Sequence, residues 1–204
     1  MKLRVFALTC LAFSLLSTLR LCYAYVKPYI KQQFDLSNLF LALLDSLIYL
    51  ALGIGMLVRY SFYTPHQIFS QFLTFAVVFN SAMLLVGLLS SSGLLTAHNA
   101  GPVLAVLIFV FGFFQCNAWP VLTVLLHDYF KVETDGTAIG LWSSSNELGN
   151  MLGVLTMPLL ILSLGLYWEL TLVLAVAACL ISSALVYFFV PRRKHSLPNV
   201  SSHA

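Results

Sequence analysis

Three ionisable side chains stand inside long apolar stretches of this 204-residue chain: Arg20, Asp45 and Glu147. At the centre of a bilayer each costs about 2.5–3.5 kcal/mol or more, so each should face a partner or a wet cavity. A guanidinium offers a planar fork of donors that matches phosphate. At 1.5 Å of rise per residue, Arg20 lies about 9 Å from the outer end of its span. Asp45 lies about 12 Å from the outer end of the next one. Adjacent antiparallel helices would bring the two to similar depth. Two readings follow. Arg20 and Asp45 form a structural ion pair, or Arg20 faces a cavity and holds an anionic ligand while Asp45 orients it. Glu147, about 15 Å into its span, is either a proton-linked carboxylate or an acceptor for neighbouring polar groups.

Polar residues gather around these charges. Gln115, Asn117 and Trp119 precede Pro120. Ser143, Ser144, Ser145, Asn146, Glu147 and Asn150 follow in a later stretch. Asn146 and Asn150 are four apart and share a helix face. Gly149 and Gly153 have the same spacing, a small-xxx-small stripe where another helix can approach closely. Packing is the default meaning of that stripe.

The elements that must position these residues follow from composition. The chain is 60% hydrophobic and 8% charged, with a mean hydropathy of +0.95. A soluble domain carries roughly 25% charged residues; a bilayer solvates apolar side chains and removes that need. A span takes about 20 apolar residues. Six stretches qualify: 5–26, 37–58, 68–90, 102–126, 137–164 and 170–190. The expected fold is an all-α membrane protein of six transmembrane helices over residues 1–192, with a short tail at 193–204. Lys27-Pro28 is expected to close the first span. The fifth is over-long and is expected to tilt or break near Pro158.

Basic residues set the orientation. With a cytoplasmic N-terminus, that side holds Lys2, Arg4, Arg59, Lys131, Arg192, Arg193 and Lys194, against only Lys27 and Lys31 outside. Both termini are therefore expected in the cytoplasm, and the sequon Asn199-Val200-Ser201 is expected to stay unused. Lys2, Arg4 and the following apolar run also have the shape of a signal peptide ending near Cys22-Tyr23-Ala24. Arg20 inside the run, and the run's length, favour a span. Cys10, Cys22, Cys116 and Cys179 lie in apolar stretches at spacings that match no metal site, and read as small buried hydrophobes. The net charge of +3 leaves no footprint for nucleic acid.

Gln115-Cys116-Asn117-Ala118-Trp119-Pro120 resembles the Q-S-T-G-W-P of organophosphate antiporters in the major facilitator superfamily. The closest likeness is to the sugar-phosphate exchangers of solute carrier family 37. Downstream, His127-Asp128-Tyr129-Phe130 resembles G-N-W-F. Gly136 with Gly140-Leu141-Trp142 resembles G-x-x-x-G-x-W, and Glu147-Leu148-Gly149-Asn150-Met151-Leu152-Gly153 resembles S-V-G-N-I-L-G. Upstream, Ser14, Arg20 and Val26-Lys27 are similar to the family's first span, and Leu44-Asp45 with Gly55 to its second. The resemblance implies the N-terminal six-helix half of a twelve-helix transporter in the endoplasmic reticulum membrane. In such folds spans 1 and 4 line a central cavity, and an arginine from each half grips phosphate. Arg20 would be this half's arginine. Bacterial glycerol-phosphate members carry a histidine at the position of Asn146, which places Asn146 near substrate. The chain departs from the pattern at Leu21, where the family has lysine. At Tyr63-Thr64-Pro65-His66 the usual D-R is absent, and Lys131-Val132-Glu133-Thr134-Asp135 replaces a basic run.

The substrate-binding candidates are thus Arg20, Asp45, Gln115, Asn117, Trp119, Asn146, Glu147 and Asn150. The expected function is transport of a sugar phosphate or glycerol phosphate in exchange for inorganic phosphate. It needs no cofactor or metal, and it needs a homodimer or a second six-helix half, because one bundle encloses no two-sided path. The alternative is a truncated, non-transporting membrane protein or regulatory partner. Pro191-Arg192-Arg193-Lys194 reads as a cytoplasmic flank under either. An enzyme is not expected, since the spans show no paired-acid, metal-ligand or nucleophile–base arrangement.

Overall fold

The computed structural model describes residues 2–62, 68–116, 118–127, 129–130 and 132–190, and all its regular elements there are helical. The sequon and the basic C-terminal tail lie outside them.

Helix α1, Lys2–Phe34, runs 33 residues, about 50 Å. It passes through Lys27-Pro28 instead of stopping there. A proline inside a helix frees only the carbonyl four residues back. The stop comes at Asp35, whose φ of 51° is left-handed. There the Leu36 N–H closes on the Lys31 carbonyl at 3.1 Å, a left-handed helix end. Ser37 then caps α2, Asn38–Phe62, by accepting the Phe40 N–H at 3.1 Å. Helix α3 covers Ile68–Ser91.

The fourth apolar stretch is two helices, α4 at Ala100–Gln115 and α5 at Ala118–His127. Pro120 accounts for the break. In a continuous helix its ring would clash with the carbonyl four residues earlier, at Cys116; in the first turn of a new helix it is tolerated. The fifth stretch is α6, Val132–Ser143, and α7, Ser145–Pro158, followed by a π-helical turn at Leu159–Ser163. The backbone thus changes character directly after Pro158 and turns at Gly165, φ 63°. Helix α8 is Trp168–Phe189.

Among the described residues, four segments are long and apolar enough to cross a membrane: α1, Asn38–Val58, the α4–α5 pair taken through Leu126, and α8. The outward surface suits lipid. Leu57 is 75% exposed, Leu162 71% and Phe188 75%, and such side chains lose nothing against hydrocarbon.

The helices pack in an arc whose order differs from chain order. Helix α7 packs on α1, α1 on α8, α8 on α3, α3 on α4, and α4 on α2. Exchanging the first three stretches with the last three maps these pairings onto themselves. The α1–α7 contact corresponds to α4–α2, and α1–α8 to α4–α3. Such nested three-helix repeats are a transporter trait. Consecutive α1 and α2 barely touch.

Close approach is made by small residues. A Cβ on Gly149 would land on the Ser14 carbonyl, and one on Gly153 would meet Leu21 and Thr18 of α1. Gly112 similarly lies against Ile48 and Ala51, and Gly55 against Phe113. Hydrogen bonds fasten the first pair: Ser14 Oγ donates to the Ser145 carbonyl at 2.7 Å and Thr18 Oγ1 to the Gly149 carbonyl at 2.8 Å. Fully buried Trp142 stacks on Phe13, centroids 5.0 Å apart, and donates its Nε1 proton to Thr9 Oγ1 at 3.1 Å. At the far end of α1, Gln33 donates to Ser90 at 3.0 Å and accepts from the Trp168 indole at 2.9 Å.

Candidate functional site

The arc leaves a cavity of about 280 Å³ between α1, α2, the α4–α5 break and the α6–α7 region. Helix α1 supplies Phe13, Leu16, Ser17 and Arg20, which recur three and four residues apart and so form one stripe. Helix α2 adds Leu52 and Met56. The break supplies Gln115, Cys116, Ala118 and Trp119, and the later helices bring Ser143 and Asn146.

Four of the residues singled out from sequence therefore meet here: Arg20, Gln115, Trp119 and Asn146. Asn150 and Glu147 join through hydrogen bonds. Arg20 Nη2 donates to Asn150 Oδ1 at 3.4 Å. Asn150 Nδ2 donates to Glu147 Oε2 at 3.1 Å, and Asn146 Nδ2 to Glu147 Oε1 at 2.7 Å. Ser17 Oγ donates to Asn146 Oδ1 at 2.6 Å and lies 3.0 Å from the Phe13 carbonyl. One chain of polar contacts thus runs from Ser17 through both asparagines and the carboxylate to the guanidinium. Both Glu147 oxygens accept from asparagine amides. Asn117 lies outside the described residues.

Asp45 is a correction. It does not pair with Arg20 and does not line the cavity. Its carboxylate takes Lys27 Nζ at 2.8 and 2.6 Å. The physical reason is the continuation of α1. Lys27 lies two turns beyond Arg20 on the same helix, and an uninterrupted helix carries it to the level of Asp45. The pair bridges two helices that otherwise scarcely meet. Its side chains are 21% and 41% exposed, so it contributes less than a fully buried pair. Asp45→Asn is expected to lower stability by about 1–2 kcal/mol by leaving Lys27 unmatched. The double change Lys27→Met with Asp45→Leu should restore most of that, while Arg20→Gln and Asp45→Asn should add without coupling. Thermal unfolding in detergent of the singles and doubles measures both; coupling between Arg20 and Asp45 would reinstate the discarded pair.

Arg20 forms no ion pair among the described residues, and its one hydrogen bond is long. Most of its donors remain available at the cavity wall. Gln115 Oε1 is buried and has no hydrogen-bond partner among the described residues, although buried acceptors are normally satisfied. The break at Cys116 also places the first residues of α5, Ala118 and Trp119, in the wall. The wall can therefore take an anion at Arg20 and a hydroxyl donor at Gln115.

Sequence reasoning missed Phe13, Leu16, Ser17, Leu52, Met56, Cys116, Ala118 and Ser143 as wall residues. For the α1 members a signal existed: they fall on the helical stripe projected back from Arg20. Leu52 and Met56 carry none, because apolar residues of a span look alike.

An apolar-skinned helical bundle whose spans enclose a cavity holding Arg20, Gln115 and Asn146 has the character of an integral membrane protein of the transporter class. The family model of the Major Facilitator Superfamily matches residues 5–203, and the chain belongs to that superfamily, whose members are transporters rather than enzymes. Comparison with curated proteins gives no match.

Proposed function

We propose that the chain serves in secondary transport of a small organic phosphate, a sugar phosphate or glycerol phosphate exchanged for inorganic phosphate. The observation that carries this reading is Arg20 at the cavity wall, without an ionic partner among the described residues. The guanidinium fork favours phosphate. Gln115, whose carbonyl oxygen needs a donor, supports a hydroxylated ligand over a bare anion. Trp119, 52% exposed, supplies an apolar face for the carbon skeleton.

Alternating access rocks two bundles about a shared site, so a second six-helix half or a second copy belongs opposite this cavity. Both ends of the chain are placed in the cytoplasm by the basic-residue bias, and the resemblance points to the endoplasmic reticulum membrane. The test is counterflow in liposomes. Purified chain, reconstituted at a protein density that permits dimers, should take up labelled glycerol 3-phosphate when the lumen holds inorganic phosphate. Uptake should be absent when the lumen holds chloride alone. Uptake indifferent to internal phosphate would refute exchange.

A further inference from the structure

We propose that a second depression, at the end of the bundle away from the N-terminus, binds a quaternary ammonium group, carried by a lipid headgroup or by a free cation of the choline type. This site is independent of the reading of Arg20.

The depression has a volume of about 320 Å³. It is lined by Tyr29, Gln32 and Gln33 of α1 and by Tyr167, Trp168 and Glu169 at the start of α8. Tyr29 lies about 14 Å along α1 from Arg20, and the two cavities share no lining residue. The α1 members lie beyond the apolar stretch 5–26, at the level where lipid headgroups begin.

Aromatic rings at that level are by themselves an ordinary interfacial belt. Two further observations set these apart. The wall is built: Trp168 is only 7% exposed, and its indole N–H is already donated to Gln33 Oε1 at 2.9 Å. Gln33 Nε2 donates to Ser90 Oγ at 3.0 Å, and Ser90 Oγ donates to Glu169 Oε1 at 3.2 Å. One run of hydrogen bonds through three helices thus fixes both the tryptophan and the carboxylate that follows it. The second observation is charge. Glu169 has no cationic partner among the described residues. Its one hydrogen bond there is the Ser90 contact, which leaves Oε2 open. Lys31 does not supply the missing cation. It stands two residues from both Tyr29 and Gln33, about 160° around the helix from each.

The wall selects among cations. A primary ammonium carries three donors and needs an acceptor for each. Here both ends of Gln33 are engaged, and Glu169 keeps one oxygen. A quaternary ammonium donates nothing. It is held by aromatic faces, with a neighbouring negative charge to balance it. Tyr29, Tyr167, Trp168 and the open side of Glu169 supply both.

The test uses the full chain in maltoside micelles, which carry no cationic headgroup, titrated with labelled choline. Binding should be saturable and displaced by tetramethylammonium at least about fivefold more readily than by methylammonium. Glu169→Gln keeps the acceptor for Ser90 and loses the charge. Tyr29→Leu loses a ring that Tyr29→Phe keeps. The first two should weaken choline binding at least about fivefold, and Tyr29→Phe should bind as wild type does. Melting temperatures verify that each variant folds, and the tyrosine pair decides alone if Glu169→Gln does not. Added phosphatidylcholine displaces choline if a headgroup is the occupant and leaves it bound if a free cation is; phosphatidylglycerol should displace it in neither case. The proposal is overturned by the absence of both saturable choline binding and preferential retention of phosphatidylcholine. Equal displacement by methylammonium, displacement by phosphatidylglycerol, or unchanged binding in Tyr29→Leu overturns it as well.

Discussion

Arg20→Gln is expected to weaken binding of glycerol 3-phosphate by at least about a hundredfold while the protein still inserts and folds. Each hydrogen bond to a charged group contributes roughly 1.5–3 kcal/mol, and a guanidinium–phosphate pair makes two in parallel. Losing both costs about 3–6 kcal/mol, which corresponds to two or more decades of affinity. Arg20→Lys should fall between, since it keeps the charge and loses the fork. Stability should change less than binding, because among the described residues the one hydrogen bond of Arg20 is the 3.4 Å contact to Asn150. Ligand-dependent melting in detergent reads both quantities together. A rise in melting temperature with glycerol 3-phosphate that persists in Arg20→Gln would remove Arg20 from the site.

Gly149→Val is expected to be the most damaging single change in the bundle. The first added carbon falls on the Ser14 carbonyl, so α7 must withdraw from α1. Withdrawal breaks the hydrogen bonds from Ser14 and Thr18 to the α7 backbone, and it disturbs Ser17 and Asn146 at the cavity. Overpacking a tight core costs about 1–3 kcal/mol, and each hydrogen bond lost adds about 1 kcal/mol. Gly149→Ala should do a milder version of the same. Gly140→Ala, where an added carbon meets nothing within 4 Å, is the matched control. Size-exclusion profiles and melting temperatures of the three variants decide it. Equal behaviour of Gly149→Ala and Gly140→Ala would contradict the close approach.

Much of the site was legible because a membrane span is a poor background for polar residues. Arg20, Gln115, Asn146, Glu147 and Asn150 stood out without any geometry, and five polar residues in apolar runs had few reasons to be there other than each other. Ser17 hid because serines are ordinary in spans, yet it sits three residues before Arg20 on the same stripe. Asp45 was given the wrong partner for a specific reason. Depth was counted from a span end placed at Lys27-Pro28, and a proline does not end a helix whose freed carbonyl can be satisfied elsewhere. The opposite lesson comes from Pro120. It was visible, but its clash with the Cys116 carbonyl was not drawn out, so the α4–α5 break was missed. That α2 would pack on α4 instead of on its chain neighbour has no local signature. It depends on Gly55 and Gly112 meeting surfaces over fifty residues away in sequence.

The exchanged order of the arc bears on how the chain is made. Nearly every strong helix pairing joins one of the first three stretches to one of the last three. When α3 has left the ribosome, α1, α2 and α3 have almost none of their eventual neighbours. They must wait in lipid as separate helices, with Arg20 and Glu147 not yet able to share a polar cluster. The Lys27–Asp45 bridge is the tie open to the nascent chain, since both partners lie within the first two helices. It neutralises two membrane charges before synthesis is half complete, and it holds α1 near α2 while α4 is still to come. Its largest contribution is then to the yield of inserted protein, not to the melting temperature of the finished bundle.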